Sequence, residues 1–244
     1  MAQPEPDGEQ IGKGAASAPL LLCGQALVAD LSGALFWPAE QALLVADLHL
    51  EKGSAQAERG LLLPPYDTRE TLARLAQAID RYRPRRVIAL GDSFHDARAP
   101  ARLDGDDRDT LRALQGGRDW VWIAGNHDPG GSARVGGQAL EVLGLAGLTL
   151  RHEPTPGPAS REIAGHLHPA AKLALRGTSI RRPCFVGNAH RLVLPAFGAF
   201  TGGLNVLDAA FRPLFDTDRA SGMAVCVLGQ DGLYPVPTRL LCAD

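Results

Sequence analysis

Beyond a polar, aperiodic stretch rich in Pro, Gly and Ala over residues 1–18, the chain breaks into short apolar runs. These are Leu20 to Cys23, Ala26 to Ala29, Ala34 to Phe36 and Ala42 to Ala46, separated by Gly, Asp, Pro or Ser. Such spacing predicts strands joined by tight turns. The run Ala42 to Ala46 is apolar at every position, which predicts a strand covered on both faces. A helix is predicted from Thr68 to about Arg83, with Asp67 as N-cap, Glu70 completing a capping box and Pro84 just beyond the end. Leu72, Leu75, Ala76 and Ile79 share one face of it. A strand over Arg86 to Leu90, a helix near Asp107 to Leu114 and a strand over Trp120 to Ala124 continue the alternation, the βαβ pattern of an α/β sandwich.

After His152 helical periodicity is scarce and strands dominate: Glu162 to Ala164, Ser179 to Val186, Arg191 to Leu194, Leu204 to Leu207 and Met223 to Leu228. A second sheet packed on the first accounts for this pattern. No internal repeat or break in composition divides the chain. The expected organisation is a disordered tail over residues 1–18 and one domain over residues 19–244.

Composition narrows the partners. Lys+Arg number 25 against 27 Asp+Glu, so there is no global basic excess and a nucleic-acid partner would need a local patch. Arg strongly outnumbers Lys, alongside abundant Ala, Gly and Pro, which reads as the imprint of a GC-rich genome. The four cysteines are scattered without a CxxC pair, which predicts small core residues in a reducing compartment. The acidic, Pro-containing start and the lack of an apolar stretch of membrane length complete the expectation of a soluble cytoplasmic protein with no membrane partner.

The chemistry lies in polar clusters that follow the apolar runs. Six of the seven histidines belong to them: Asp47-Leu-His49, Gly91-Asp92-Ser-Phe-His95, Gly125-Asn126-His127-Asp128, His152 and Gly165-His166-Leu-His168. Each has an ordinary explanation alone, since Asp and Asn often cap turns. Together they place imidazole, carboxylate and amide oxygen at the carboxyl edge of a sheet, where α/β proteins bind ligands. Those donors suit divalent Mn, Fe or Zn.

In this order the clusters resemble the five motifs of the calcineurin-like binuclear metallophosphoesterases, over roughly residues 42 to 170. His152-Glu153-Pro154 and the segment Arg191 to Gly203 resemble a bacterial subgroup, the ligase-associated DNA damage response endonucleases (PdeM). The resemblance implies a four-layer α/β/β/α sandwich of two mixed sheets. It implies one metal on Asp47, His49, Asp92 and His168 and a second on Asp92, Asn126, His152 and His166, with Asp92 bridging. The implied cofactors are two divalent ions, Mn2+ foremost and Fe2+ or Zn2+ as alternatives, with a metal-bridging hydroxide as nucleophile. His127 is implied as the group that stabilises or protonates the leaving oxygen, with Asp128 fixing its tautomer.

One departure stands out. Many members carry an acidic residue three positions after the Gly-Asp aspartate, where this chain has His95 followed by Asp96. His95 is therefore given no ligand role and is read as a substrate contact, a group orienting Asp92, or a hydrogen-bonded loop histidine. Arg181, Arg182 and the run Arg81, Arg83, Arg85, Arg86 read either as phosphate contacts or as solvated charge. His190 reads as a surface residue. The segment Phe197 to Gly203 reads as a substrate-facing loop or as packing at a sheet edge.

The function implied by the resemblance is a manganese-dependent phosphodiesterase and DNA endonuclease in DNA repair, acting on DNA, single-stranded above all, in association with a DNA ligase and a helicase. A phosphomonoesterase or nucleotide pyrophosphohydrolase on small substrates is the alternative, favoured by the near-neutral charge. A metal-free scaffold is a third reading, opposed by the retention of every implied ligand.

Overall fold

The computed structural model of the chain describes residues 14–61, 66–130, 133–157, 161–175, 178–215 and 222–244. The expected tail lies outside the described residues up to residue 13, and the first strand begins at Ser17. The first sheet is β1 (Ser17–Leu22), β2 (Gln25–Asp30), β3 (Leu35–Trp37), β4 (Ala42–Val45), β5 (Arg86–Leu90), β6 (Asp119–Ile123) and β7 (Gln138–Leu140), in that spatial order. β1 to β4 pair antiparallel and β4 to β7 parallel. The β1–β2 turn is two residues, Cys23 at φ 50° and Gly24 at φ 83°. Positive φ at both central positions matches the twist of the paired strands.

α1 (Lys52–Glu58) and α2 (Asp67–Tyr82) lie between β4 and β5, and α3 (Ala99–Arg102) and α4 (Gly105–Gln115) between β5 and β6. Leu72, Leu75 and Ile79 of α2 and Leu111 of α4 bury against Leu43, Val45, Val87 and Trp122. α2 departs from the predicted cap. Asp67 opens the helix, and its carboxylate accepts the N–H of Gly53 at 2.9 Å. The aspartate joins α1 to α2 and the capping box does not form. At the other end of α2, Arg81 and Tyr82 donate to the fully buried Asp30 at the end of β2. Burial pushes the Asp30 carboxyl up, but hydrogen bonds from Ser32, Tyr82 and Arg81 outweigh it and hold the group below its ordinary value.

The second sheet contains β8 (Val142–Leu145), β9 (Leu148–Arg151), β10 (Glu162–Ala164), β11 (Pro169–Leu175), β12 (Thr178–Gly187), β13 (Arg191–Val193), β14 (Leu204–Asn205), β15 (Ala224–Leu228) and β16 (Leu233–Val236). Its main path runs β14-β11-β12-β13-β10-β9-β8, with β15 pairing β12 and β16 pairing β15. β9, β10 and β13 are parallel neighbours in an otherwise mainly antiparallel sheet. Leu44, Ile88 and Ile123 of the first sheet meet Leu150, Ile163 and Phe185 of the second in a continuous apolar layer. The far face of the second sheet is covered by a short 3-10 turn and α5 (Arg212–Phe215), through Phe211, Leu214 and Phe215. The architecture is thus the α/β/β/α sandwich of two mixed sheets, with its second helical layer reduced to about a turn.

One charged pair is sealed inside. Arg191 on β13 and Glu162 on β10 are both fully buried, with Arg191 Nε donating to Glu162 Oε1 at 2.5 Å. The guanidinium also donates to the carbonyls of Gly157, Leu214 and Thr155. Glu162 in turn accepts the backbone N–H and the hydroxyl of Thr155. The pair therefore anchors the loop that follows His152 to both the sheet and α5.

Candidate metal centre

Parallel pairing of β4, β5 and β6 aligns their carboxyl ends, and parallel β9 and β10 do the same in the second sheet. Asp47 and His49 follow β4, Asp92 follows β5, and Asn126 and His127 follow β6. His152 follows β9, and His166 and His168 follow β10. The two rims are tied together where the N–H of His166 donates to Asp47 Oδ2 at 2.9 Å. The backbone is left-handed at Asp47 (φ 54°), His49 (45°), Asp92 (46°), His166 (71°) and His168 (45°). Each such residue costs on the order of 1 kcal/mol or more, a price met where a site over-determines its geometry. Here the N–H of Asp47 donates to Gly91 O and that of His49 to Asp92 O, at 3.2 and 2.9 Å.

The side chains fall into two groups around Asp92. In the first, His49 Nε2 stands 3.2 Å from His168 Nε2, which is 3.5 Å from Asp47 Oδ1. In the second, His152 Nε2 is 3.0 Å from Asn126 Oδ1, 3.1 Å from His166 Nδ1 and 3.4 Å from Asp92 Oδ2. Asp92 Oδ2 also lies 3.9 Å from His49 Nε2, so one carboxylate oxygen faces both groups. Asp47, Asp92, His49 and His152 are buried and cannot spread their charge into water.

Two imidazoles are oriented by backbone carbonyls. His152 Nδ1 donates to Leu90 O at 3.0 Å and His168 Nδ1 to Gly202 O at 3.1 Å. In the neutral rings each Nε2 then presents a lone pair to other acceptors, an arrangement that repels itself until a positive charge sits among the atoms. The carboxylates pull for that charge. Burial alone would lower the His152 pKa, but Asp92, Asp47 and the Leu90 carbonyl drive it up to about 9. Burial likewise opposes charge on Asp92, yet His152, the His127 N–H and His49 hold its carboxyl at about 2. His49, enclosed and beside His168, falls to about 3 and stays neutral, as a ligand imidazole must. Three sets of side chains are close enough to hold a metal ion: Asp47, His49 and His168; Asp92, His152 and His166; and, against the reading that gave His95 no ligand role, His49, His95 and His127. The donor set of carboxylate, imidazole and amide oxygen fits divalent Mn, Fe or Zn.

A solved structure shares this architecture. The crystal structure of Pseudomonas putida nuclease MPE matches with a TM-score of 0.70 and 34% sequence identity, over 90% of this chain and 100% of that one. The chain belongs to the family of that nuclease. No protein-family model and no curated protein matches it.

Against this family's fold, the remaining residues singled out in the sequence sort by position. His127 reaches the rim, with Nε2 4.0 Å from Asp92 Oδ2. Its Nδ1 donates to His95 O at 3.0 Å, so a backbone carbonyl fixes the ring where Asp128 was expected to. The Asp128 carboxylate instead accepts the N–H groups of Ser93, Phe94 and Gly125, which clamps the loop carrying Asp92 to the loop carrying Asn126. The ring of His95 stacks on His127, with centroids 5.4 Å apart, and its Nδ1 is enclosed without a hydrogen-bond partner. Burial, His127, Lys52 and Arg59 all lower its pKa.

Arg181 and Arg182 line a groove with His168, and Arg181 donates to Gly203 O and Asp244. His190 is exposed. The run from Arg81 to Arg86 lies at the opposite end of β5, where Arg81 pairs with Asp30 and Arg86 with Asp119. It takes no part in the site. Three features had no signal in the sequence: the orienting carbonyls of Leu90, Gly202 and His95, the Lys52 ammonium near His95, and the Glu162–Arg191 pair behind His152.

The motif glycines are there for room. A Cβ on Gly91, where φ is 78°, would stand 2.3 Å from His152 Cγ and Nδ1, and one on Gly125 would stand 2.2 Å from Asp92 N. Gly91→Ala is expected to displace His152 from Leu90 O and weaken metal binding roughly 10- to 100-fold, in line with lost orientation of a ligand. Calorimetric titration with Mn2+ checks it, and unchanged affinity would show that His152 needs no such support.

Proposed function

We propose that the protein is a two-metal phosphodiesterase that cleaves DNA, of the PdeM type, using Mn2+ and acting on single strands in DNA repair. The observation that carries this reading is one buried carboxylate oxygen, Asp92 Oδ2, facing two groups of ligand atoms at the joined rims of two sheets. Two divalent ions bound there would supply a nucleophile at neutral pH and offset the charge of a phosphoryl group in displacement. The similar protein is a nuclease, and the likeness of segment Arg191 to Gly203 to the PdeM subgroup supports the repair setting, the cytoplasmic location and the functional company of a ligase and a helicase.

The chain's own groups have separable tasks. Asp47, His49 and His168 hold one position, Asn126, His152 and His166 the other, and Asp92 serves both. His127, with Nδ1–H committed to the His95 carbonyl, keeps Nε2 for the leaving oxygen, to which the imidazolium form would hand its Nε2 proton and so become the neutral ring. Lys52 and Arg59 near His95, with Arg181 and Arg182 beside His168, make the local basic patch that a net charge of -2 conceals. Among the described residues no helix is long and apolar enough to cross a membrane.

The test is a matched assay. Protein stripped with EDTA and reloaded with Mn2+ is expected to cleave a phosphodiester and single-stranded DNA, with rates on DNA falling steeply as salt rises because phosphate contacts release counterions. Hydrolysis of phosphomonoesters or small nucleotides alone, with little salt dependence, would replace this reading with the small-substrate one. Full activity without bound metal by elemental analysis would overturn both.

A further inference from the structure

The segment Phe197 to Gly203 runs between the two metal-facing rims and is held at almost every residue. The N–H groups of Phe197 and Gly198 donate to Ala46 O and Asp47 O, at 2.8 and 3.1 Å, and that of Ala199 donates to Thr71 Oγ1 at 3.0 Å. Further along, the Gly202 carbonyl accepts from His168 and the Gly203 carbonyl from Arg181. The segment is a fixed strap. Phe197 is fully buried in the helix-side core, whereas Phe200, three residues on, is 36% exposed and belongs to none of the three apolar cores.

Phe200 lines a narrow crevice together with His49, Lys52 and Thr201, which places this residue of the strap beside one of the two ligand groups. Thr201 also lines the groove of His168, Arg181 and Arg182, which makes the strap the wall between the two. Lys52 Nζ donates to Phe200 O at 2.8 Å. An ammonium has three donors, and this one keeps others for a second acceptor. Among the described residues only one other aromatic is exposed, Tyr66, and it immediately precedes Asp67 on the same cleft. Phe200 is thus an exposed aromatic residue on the strap whose Gly202 carbonyl orients His168 and whose own carbonyl accepts from the Lys52 ammonium.

We infer that Phe200 stacks a nucleobase of the substrate strand beside the metal centre, with Lys52 taking a neighbouring phosphate. The inference rests on the DNA-cleaving reading above. An aromatic face accepts any base, and the strap is already ordered, so stacking there costs little side-chain freedom. A base inside a duplex has its faces occupied by its neighbours. The contact therefore selects for single strands without reading their sequence.

Phe200→Trp supplies a reporter, since Trp37, Trp120 and Trp122 are buried and far less open to a quencher. With EDTA present to prevent cleavage, titration with a single-stranded oligonucleotide is expected to quench the new emission. An oligonucleotide of equal length built of abasic sites is expected to leave it unchanged. With Mn2+, Phe200→Ala is expected to raise KM for single-stranded DNA roughly ten-fold, the scale of one lost base stack, with kcat held and KM for the abasic strand unmoved. Phe200→Tyr is expected to restore it. Lys52→Ala is expected to reduce the slope of log affinity against log salt by about one. Equal quenching by both strands, or an unchanged KM in Phe200→Ala, overturns the stacking role while cleavage survives. Absence of DNA cleavage by the wild-type protein overturns the reading beneath it and the inference together.

Discussion

Replacing Asp92 with Asn is expected to lower kcat by roughly 10^3-fold, at the upper end for losing one electrostatic element of a metal site, with the loop that carries it kept in place. The asymmetry follows from what each carboxylate oxygen does. Oδ1 accepts the N–H of His127 at 2.9 Å, a bond that an amide oxygen keeps. Oδ2 faces His152 Nε2 and His49 Nε2, and in the variant an NH2 group occupies that place. The loop is preserved and the shared negative charge is lost, so the two cations of the proposed centre would be left close together without the anion that offsets their repulsion. Metal content by elemental analysis should fall below two ions per chain under conditions that saturate the wild type. Near wild-type turnover with full occupancy would show that the two positions do not depend on a common carboxylate.

Arg191→Met is expected to have the largest effect on stability. Removing the guanidinium leaves Glu162 fully buried with its charge uncompensated, and leaves the carbonyls of Thr155, Gly157 and Leu214 without their donor. Breaking a buried pair from one side costs about 3–5 kcal/mol. At about 2–4 °C per kcal/mol for a chain of this size, Tm should drop by roughly 10 °C. The companion Arg191→Met, Glu162→Leu should recover much of that loss, since an apolar replacement of both partners removes the unpaired charge. Differential scanning calorimetry on both separates the outcomes. If the double variant is no more stable than the single one, packing around Thr155 rather than charge explains the loss.

How far the sequence disclosed all this varies by element. β4, β5 and β6 were legible because uniformly apolar runs ending in Asp, Gly-Asp or Gly-Asn-His mark buried parallel strands with polar carboxyl ends. β11 was missed. Its Pro-Ala-Ala-Lys-Leu-Ala-Leu sequence carries residues that favour helix, and pairing with β12 along its length and with β14 at its start holds it extended. β8 and β9 were passed over because Gly144, Ala146 and Gly147 interrupt the alternation that announces a hairpin. α1 was also missed, because it is short and begins after a left-handed Glu51 rather than a standard cap.

The site divides in the same way. Residue types showed which chemistry was possible, since carboxylate, imidazole and amide oxygen have few other reasons to recur after strands. Orientation was not legible, because the groups that aim His152, His168 and His127 are carbonyls that every residue possesses. The capping box at Asp67 failed for a related reason. A helix start can be read locally, but the N–H of Gly53, which claims that carboxylate, belongs to another helix.

The facing of His49 and His168 across a separation of 119 residues has a consequence for the life of the chain before it is complete. The first sheet can form on the ribosome with Asp47, His49, Asp92 and Asn126 in hand, four of the seven ligand residues, yet neither ligand group is complete in it. The second sheet supplies the other imidazoles, and the strap from Phe197 must still close over Ala46 and Asp47. An emerging or truncated polypeptide is therefore chemically silent. Whatever phosphoester this centre attacks, its reactivity is switched on by the last stage of folding.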